Sequence, residues 1–556
     1  MTRSLPFEAR APAFGVRIGV EAGKIRVQAA DSGGRGFPHA ALLVPVSRAG
    51  NRLCMVETAP APGPDQMEQG ESLVGLYKPQ SASPYVFDVP LHEWPAAEQV
   101  LVLLLYVQAE GIGGLARLPR LPDLSGPTPD VFDTLPHALK ATNEAVQAAR
   151  EALEADTFDD LRGGLIVGNP KKSHRSYDRR TGARPTHIRF ALASCQYPSD
   201  FLDHMPDSEH ATRGPADASL LALADLLGES GAPTLLLLAG DQVYIDATAG
   251  LFDPKVTDDR FRMAYERRGQ SRGVMAVMQR LDLVVETMLD DHEIRDNWAN
   301  DPDPKMRAKD NDIVSGKQAY LKYQRGKTGR LPAHLWRNFT HDGIPFFLSD
   351  TRTEREGRTA SNWHKARIIG PKQFDKLCEW LTRPEYAELP KFVLTPSAIL
   401  PRRREVAEDP SCALHSDAWD GYPRSAHALL KFVCDEEITR IVFLSGDEHL
   451  SSLVTAHVTN CITGKQCILH SVHSSGLYSP YPFANGVADD FQADETFFFP
   501  DLASGPYRCE VQTSFAPGDG FALLTAAHHP SGWRLNVDFH NAGGPKVDGS
   551  FIRELG

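Results

Sequence analysis

Thr234–Ala239 is a six-residue run made almost entirely of leucine, and it breaks off directly into Gly240-Asp241-Gln242-Val243-Tyr244. It is too short for a stable helix and shows no polar alternation, so it predicts a strand buried on both faces. Such strands belong inside α/β domains. The carboxylate and phenol that follow are then delivered to the strand's carboxyl end, where open α/β sheets gather their ligands.

Three other runs end in the same way. Ile188–Ala193 leads into Ser194-Cys195-Gln196, Val284–Leu289 into Asp290-Asp291-His292-Glu293, and Thr439–Leu444 into Ser445-Gly446-Asp447-Glu448-His449. Each cluster alone has a bland reading: a turn carboxylate accepting backbone N–H bonds, or an acidic first turn of a helix. Together they would crowd carboxylates whose repulsion calls for a compensating cation, and the combined pattern predicts a metal site.

Around these runs, strands are expected at Pro345–Leu348 and Lys391–Leu394. Helices are expected at Lys372–Leu381 and at Ala218–Leu227, the latter with Asp217 as a candidate cap. The alternation suggests a sheet covered on both faces. Residues up to 125 read as β-rich, with Ala41–Pro45, Leu73–Leu76 and Gln99–Val107 divided by segments such as Ala59–Asp65, and suggest a sandwich-like accessory domain. Leu135–Leu153 has helical periodicity, Gly168–Arg184 is polar and basic like a linker or lid, and Glu510–Thr513, Gly520–Ala526 and Trp533–Phe539 read as closing strands. The expected division is a β-rich domain over 1–130, helix and linker over 131–185, a catalytic domain over 186–500, and C-terminal strands over 501–556.

A chain of 556 residues exceeds one ordinary core. Its net charge of −13 argues against a broad nucleic-acid surface. That charge does not argue against a phosphate ester, because bound cations reverse the sign of a site locally. The eight cysteines form neither a CxxC pair nor a dense disulfide framework. The opening MTRSLPFEARAPAFG holds no apolar run of signal-peptide length, and Val100–Val107 and Leu235–Ala239 are too short to span a bilayer, so a cytoplasmic protein is expected. No GxSxG elbow offers a serine nucleophile. His528-His529 would point to opposite faces of a strand and makes a poor joint ligand.

SCQ, GDQVY, DDHE with Asn297-Trp298, Asp350-Thr351-Arg352 and SGDEH follow one another in an order that resembles the PhoD-type alkaline phosphatases and phosphodiesterases, calcineurin-like metallophosphoesterases related in logic to purple acid phosphatases. Asp417-Ala418-Trp419-Asp420-Gly421-Tyr422 also looks like that family. The resemblance spans Ile188 to Leu450. It implies a metallophosphoesterase-type β-sandwich core flanked by helices, and hydrolysis of small phosphate esters by attack of a metal-bound hydroxide on phosphorus. Secreted members carry a twin-arginine export signal, which the opening residues here do not show.

The resemblance further implies an iron ion (Fe3+) held by Cys195, Asp241, Tyr244 and His449, a donor set that suits trivalent iron. Asp241 is expected to bridge to a harder site, with Asp291 and Asp447 as its other oxygen ligands and Asn297 either a ligand or a turn former. Carboxylates there favour calcium over zinc; manganese or zinc remain as alternatives. Arg352 is read either as a bidentate clamp on phosphate or as a salt-bridge partner of Asp350. His292 is read as orienting phosphate, protonating the leaving group, or partnering a ligand carboxylate. Arg355 is expected at the surface or rim. Ala299–Asp312 and Ser474–Asp494 are expected to be loops that tune specificity.

Overall fold

The structure is a computed structural model. It describes ten strands within residues 7–168, and then residues 185–556 apart from 198–216, 228–230, 247–257, 279–282, 302–309, 326–330, 480–485, 502–504, 546 and 548. The predicted helix Leu135–Leu153, the segment Ala59–Asp65, the predicted linker beyond Gly168 and the middle of the Ala299–Asp312 loop lie outside the described residues. The chain divides into two compact units: Met1–Ser176 with Tyr265–Asp282 and Gln318–Arg330, and Tyr177–Ala264 with Leu283–Lys317 and Leu331–Gly556.

The first unit contains two antiparallel sheets. One runs in the order Phe7–Arg10, Gln99–Val107, Pro38–Ala49, Arg52–Met55, with Leu165–Gly168 and Gly75–Tyr77 paired alongside. The other runs Arg17–Glu21, Lys24–Ala29, Tyr85–Pro90, Ser81–Ala82. The strand Leu165–Gly168 falls in a stretch read as helix and linker; its Leu-Ile-Val core is too short to stand out from that polar surrounding.

The second unit is a mixed α/β fold with two eight-stranded sheets. One sheet has the order Val284–Thr287, Leu235–Leu238, His187–Gln196, Phe521–His529, Gly532–Asn541, and its first three strands are parallel. The C-terminal strands therefore continue this sheet, Phe521–His529 lying antiparallel beside His187–Gln196. The other sheet places Ile344–Leu348, Lys391–Leu394, Ile441–Ser445 and Gln466–His473 side by side in parallel.

Side-chain alternation explains why these strands read as continuous apolar runs. Phe346, Leu348, Phe392, Leu394, Val442 and Leu444 share a core with Ile188, Phe190 and Leu192 of the first sheet. Phe347, Val393, Ile441 and Phe443 point the other way, into a core with Trp380 and Leu381 of helix Pro371–Leu381 and Leu429 and Val433 of helix Pro423–Asp435. Both faces are dry, so both sets of residues are apolar. Phe190 meets Phe346 and Phe392 edge-on, with ring centroids 5.4 and 4.9 Å apart, contacts that contribute about 1 kcal/mol each beyond their burial.

Both long helices begin with proline at the first turn, where its missing N–H is not needed. Asp217 does not cap Ala218–Leu226: with φ −99° and ψ 9° it lacks the extended backbone that aims a cap side chain at the helix amides. Ser474–Asp494 is not all loop, since Gly476–Tyr478 adds a parallel strand beside Ser194–Gln196. No helix among the described residues is long and apolar enough to cross a membrane.

Candidate metal centre

The ends of the strands His187–Gln196, Leu235–Leu238, Val284–Thr287 and Ile441–Ser445 converge. Parallel pairing aligns the first three, and their backbones then cross-link: Cys195 N–H donates to Gly240 O (3.2 Å) and Gln196 N–H to Asp241 O (2.8 Å). Gly240 lies at φ +102°, and a Cβ there would collide with Asp290, so the two loops approach as closely as they do because the residue is glycine. Cys195, Asp241, Asn297 and Asp447 all have positive φ, at 43°, 53°, 49° and 79°. Asn and Asp tolerate that region; for Cys195 it costs roughly 1 kcal/mol, and strain of this kind concentrates at functional sites.

Asp241, Asp290, Asp291 and Asp447 bring carboxylate oxygens within 4.8 Å of one another, and Asp241, Asp291 and His292 form an overlapping group. Cys195 Sγ lies 3.3 Å from Asp241 Oδ2 and 3.7 Å from Asp447 O. Tyr244 stacks on His292 at 4.3 Å and meets Tyr197 edge-on. An added Cβ at Gly476 would stand 3.0 Å from His449 and 3.2 Å from Cys195, so those two side chains flank that glycine. Asn297 is exposed; its backbone N–H, not its side chain, meets Asp291, donating to Oδ2 at 2.8 Å.

Arg352 does not pair with the Asp350 side chain through its guanidinium. Asp350 closes its own turn, accepting from the Arg352 and Thr353 amides (3.1 and 2.8 Å). The guanidinium, wholly buried, instead binds Asp290 and Asp417 and comes within 3.3 Å of Asp291 and 3.7 Å of Asp447. Arg355 is not a rim residue either. It is fully buried, donating to Thr351 O and Ser397 Oγ at 2.7 Å each and pairing with Asp417, because the turn at Asp350–Arg355 aims both guanidiniums the same way. His292 is oriented by Asp246, which accepts from Nδ1 at 2.8 Å.

Asp246, Asp290, Glu293 and Asp417 also contribute, without an individual role having been legible for any of them in the sequence. Asp290 and Glu293 sit within DDHE, so the string marks their location; nothing in it marks their function. Asp246 lies five residues beyond Asp241 and reaches His292 only through the fold.

Electrostatics report a shortage of positive charge. Burial, reinforced by Asp291 and Asp290, pushes the Asp241 carboxyl well above the usual range. Burial and the same pair of neighbours do likewise at Asp447. Burial raises Asp290 to about 7 despite the pull of Arg352. At Asp291 burial is outweighed by Arg352, His292 and the Asn297 N–H, which hold it below the usual range. Burial, then Asp241 and Asp447, raises the Cys195 thiol; burial, then Cys195 and Asp241, raises the Tyr244 phenol. Asp290 Oδ2 is buried and accepts no hydrogen bond among the described residues. An unsatisfied carboxylate oxygen among carboxylates that outnumber their guanidinium partners fits a cation.

A family model for PhoD-like phosphatases matches residues 190–494. Alkaline phosphatase D of Bacillus subtilis (strain 168) is 23% identical over 210 residues, which are 34% of this chain and 35% of that protein. The chain thus matches about a third of the length of this curated relative. A solved structure of PhoD superposes with a TM-score of 0.50 at 14% identity, covering 99% of this chain and 88% of that one, a likeness of fold.

Proposed function

The chain belongs to the PhoD-like phosphatase family, and from that premise we propose that it hydrolyses phosphate mono- or diesters at the strand-end cluster. The observation that carries the proposal is the meeting of Asp241, Asp290, Asp291 and Asp447 in a buried setting that leaves carboxylate charge uncompensated. Cys195, Asp241, Tyr244 and His449 are the donors for iron. Asp241, Asp291 and Asp447, now with Asp290 as a fourth oxygen source, are those for calcium. Cations held there supply Lewis acidity, polarising phosphoryl oxygens and acidifying water.

The chain's own groups do the rest. Arg352, fixed by Asp290 and Asp417, keeps a permanent positive charge beside Asp291 and Asp447, where phosphate oxygens need it. Asp246 locks the His292 ring through Nδ1, which makes Nε2 the nitrogen that gives a proton to the leaving oxygen. Asp241 also accepts the His292 backbone N–H at 3.2 Å, tying the ligand loop to the loop of the proton donor.

Elemental analysis of protein purified without added metal, paired with turnover of p-nitrophenyl phosphate and its bis-ester, tests this. Iron and calcium with turnover that chelation removes is the expected result; manganese or zinc in their place would revise the donor assignment. Loaded protein inert towards a panel of mono- and diesters would leave a binding protein. The iron shell has its own test: oxidised protein should be coloured through the Tyr244 phenolate, and Tyr244→Phe should lose that band. Cys195→Ser is the control for thiolate absorption.

A further inference from the structure

We infer that Glu293 is a positioning residue whose carboxylate fixes the backbone of the two loops carrying Asp241 and Asp290–Asp291, and so sets the spacing of the metal-holding carboxylates. The inference rests on the proposed metal centre. Glu293 is fully buried. Its Oε2 accepts the N–H of Asp241 (3.1 Å) and of Asp290 (2.9 Å), and its Oε1 accepts the N–H of Gln242 (2.8 Å). The two loops leave adjacent parallel strands whose ladder ends at the Met288 N–H to Leu238 O bond (2.8 Å). Beyond that rung the two loops are joined by the Ile245 N–H to His292 O bond (2.9 Å) and the His292 N–H to Asp241 Oδ1 bond (3.2 Å), neither of which engages the Asp241, Gln242 or Asp290 amide. Glu293 replaces the missing rungs with three charge-assisted hydrogen bonds, each stronger than a neutral one.

The brace acts where backbone freedom costs most. Asp241 is held at φ 53°, and its carboxylate must face Asp291 and Cys195 at once. A side chain that holds two ligand loops behaves like the outer partners of metal sites, whose loss weakens binding about 10- to 100-fold. Glu293→Gln keeps the shape but replaces one acceptor oxygen by an NH2 that faces backbone N–H donors. Glu293→Asp keeps the charge but is one methylene short.

The test is calcium titration by calorimetry on wild type, Glu293→Gln, Glu293→Asp and Leu429→Ala, the last a cavity variant in the helix-side core, which holds none of the cluster's carboxylates. Expected is a 10- to 100-fold loss of calcium affinity in Glu293→Gln, partial recovery in Glu293→Asp, and wild-type affinity in Leu429→Ala despite its lower Tm. Wild-type affinity in folded Glu293→Gln, or an equal loss in Leu429→Ala, overturns the inference. Amide hydrogen exchange decides it independently of metal. In wild-type protein the Asp241, Gln242 and Asp290 amides should exchange as slowly as those of the core strands, and fast exchange there overturns the brace even if no substituted protein folds. A wild type that binds no calcium while those amides stay protected would remove the proposed centre and leave the brace standing.

Discussion

Asp241, Asp290, Asp291 and Asp447 hold their oxygens within 4.8 Å at strand ends, with all but Asp447 buried; Glu405, Cys412 and His415 reach the same spacing with Glu405 and His415 exposed. The second group is local: Glu405 lies in the short helix Arg404–Glu408, and Cys412 in the turn Pro410–Leu414 that Asp409 caps. Its members come together because the chain turns there, and water screens whatever charge they share. The first group is assembled from distant segments, out of water, against its own repulsion. Both groups bring their ligand atoms within 4.8 Å of one another. What separates them is that one proximity is maintained against an electrostatic cost, by Gly240, by positive-φ backbone and by Glu293, and the other is free.

The largest effect that could break this contrast is Asp241→Asn. It keeps the turn but removes a charge shared by both proposed cation sites. Activity should fall by roughly three orders of magnitude or more, and elemental analysis should show lost metal with Tm little changed. Full activity and full metal content would reduce Asp241 to a turn residue, and the buried group to the standing of the exposed one.

Next is Arg352→Met. Removing a buried guanidinium strands Asp290 and leaves Asp417 to Arg355 alone, and breaking such pairs destabilises by about 3–5 kcal/mol. Urea unfolding of metal-free protein measures it, and added calcium should return part of the loss. A neutral result would mean that the carboxylates are not short of positive charge.

The third effect is on stability against pH. Asp290 has a folded pKa of about 7, above the usual 3.8, so between those values the folded state holds the proton more tightly than the unfolded chain. Its contribution is therefore complete below pH 3.8 and is lost as pH rises through about 7. Asp241 and Asp447 shift in the same direction. His427 and His470, lowered by burial to about 4, tilt the other way, losing stability as pH falls from 6.5 towards 4. The clean comparison is thus wild type against Asp290→Asn, which carries both histidines unchanged. The metal-free wild type should lose stability with rising pH relative to the variant, and saturating calcium should erase the difference.

The sequence displayed the deep group because its members follow strands that read plainly. Cys195, Asp241, Asp291 and Asp447 each stand next to an apolar run, and both faces of those runs are buried. Strands such as Ser451–Asn460 and Gln466–His473 were not legible, since Ser, Thr and His interrupt them and no continuous apolar run forms. Roles depending on side-chain direction were not legible either. DDHE names four polar residues, but the backbone turn after Thr287 decides that Asp290 and Asp291 join the carboxylate group while Glu293 turns to the amides. Arg355 looks like any surface arginine until the Asp350 turn buries it against Asp417. Residues up to 125 offered strands and no chemistry, and the strands described within residues 7–168 form two antiparallel sheets.

The smallest effect belongs to the exposed group. Cys412→Ser and His415→Ala should leave phosphate-ester turnover and iron and calcium content within about twofold of wild type, and Tm within a degree or two, because substitutions at solvated positions shift stability by about 0.5 kcal/mol or less. Burial raises the Cys412 thiol first, with Asp409 and Glu405 adding to it, so the group is not poised as a thiolate ligand. The segment nonetheless makes the experiment informative. It runs on to Asp417, which holds Arg352 and Arg355, and it starts beside Arg403, whose guanidinium meets Glu448 at 2.6 Å next to Asp447. A surface metal that tightened this stretch would reach the deep carboxylates through those two contacts, and Cys412→Ser would then lower kcat. An unchanged kcat means that the deep group is set by its own strand ends and braces, and that spacing without burial does not make a site.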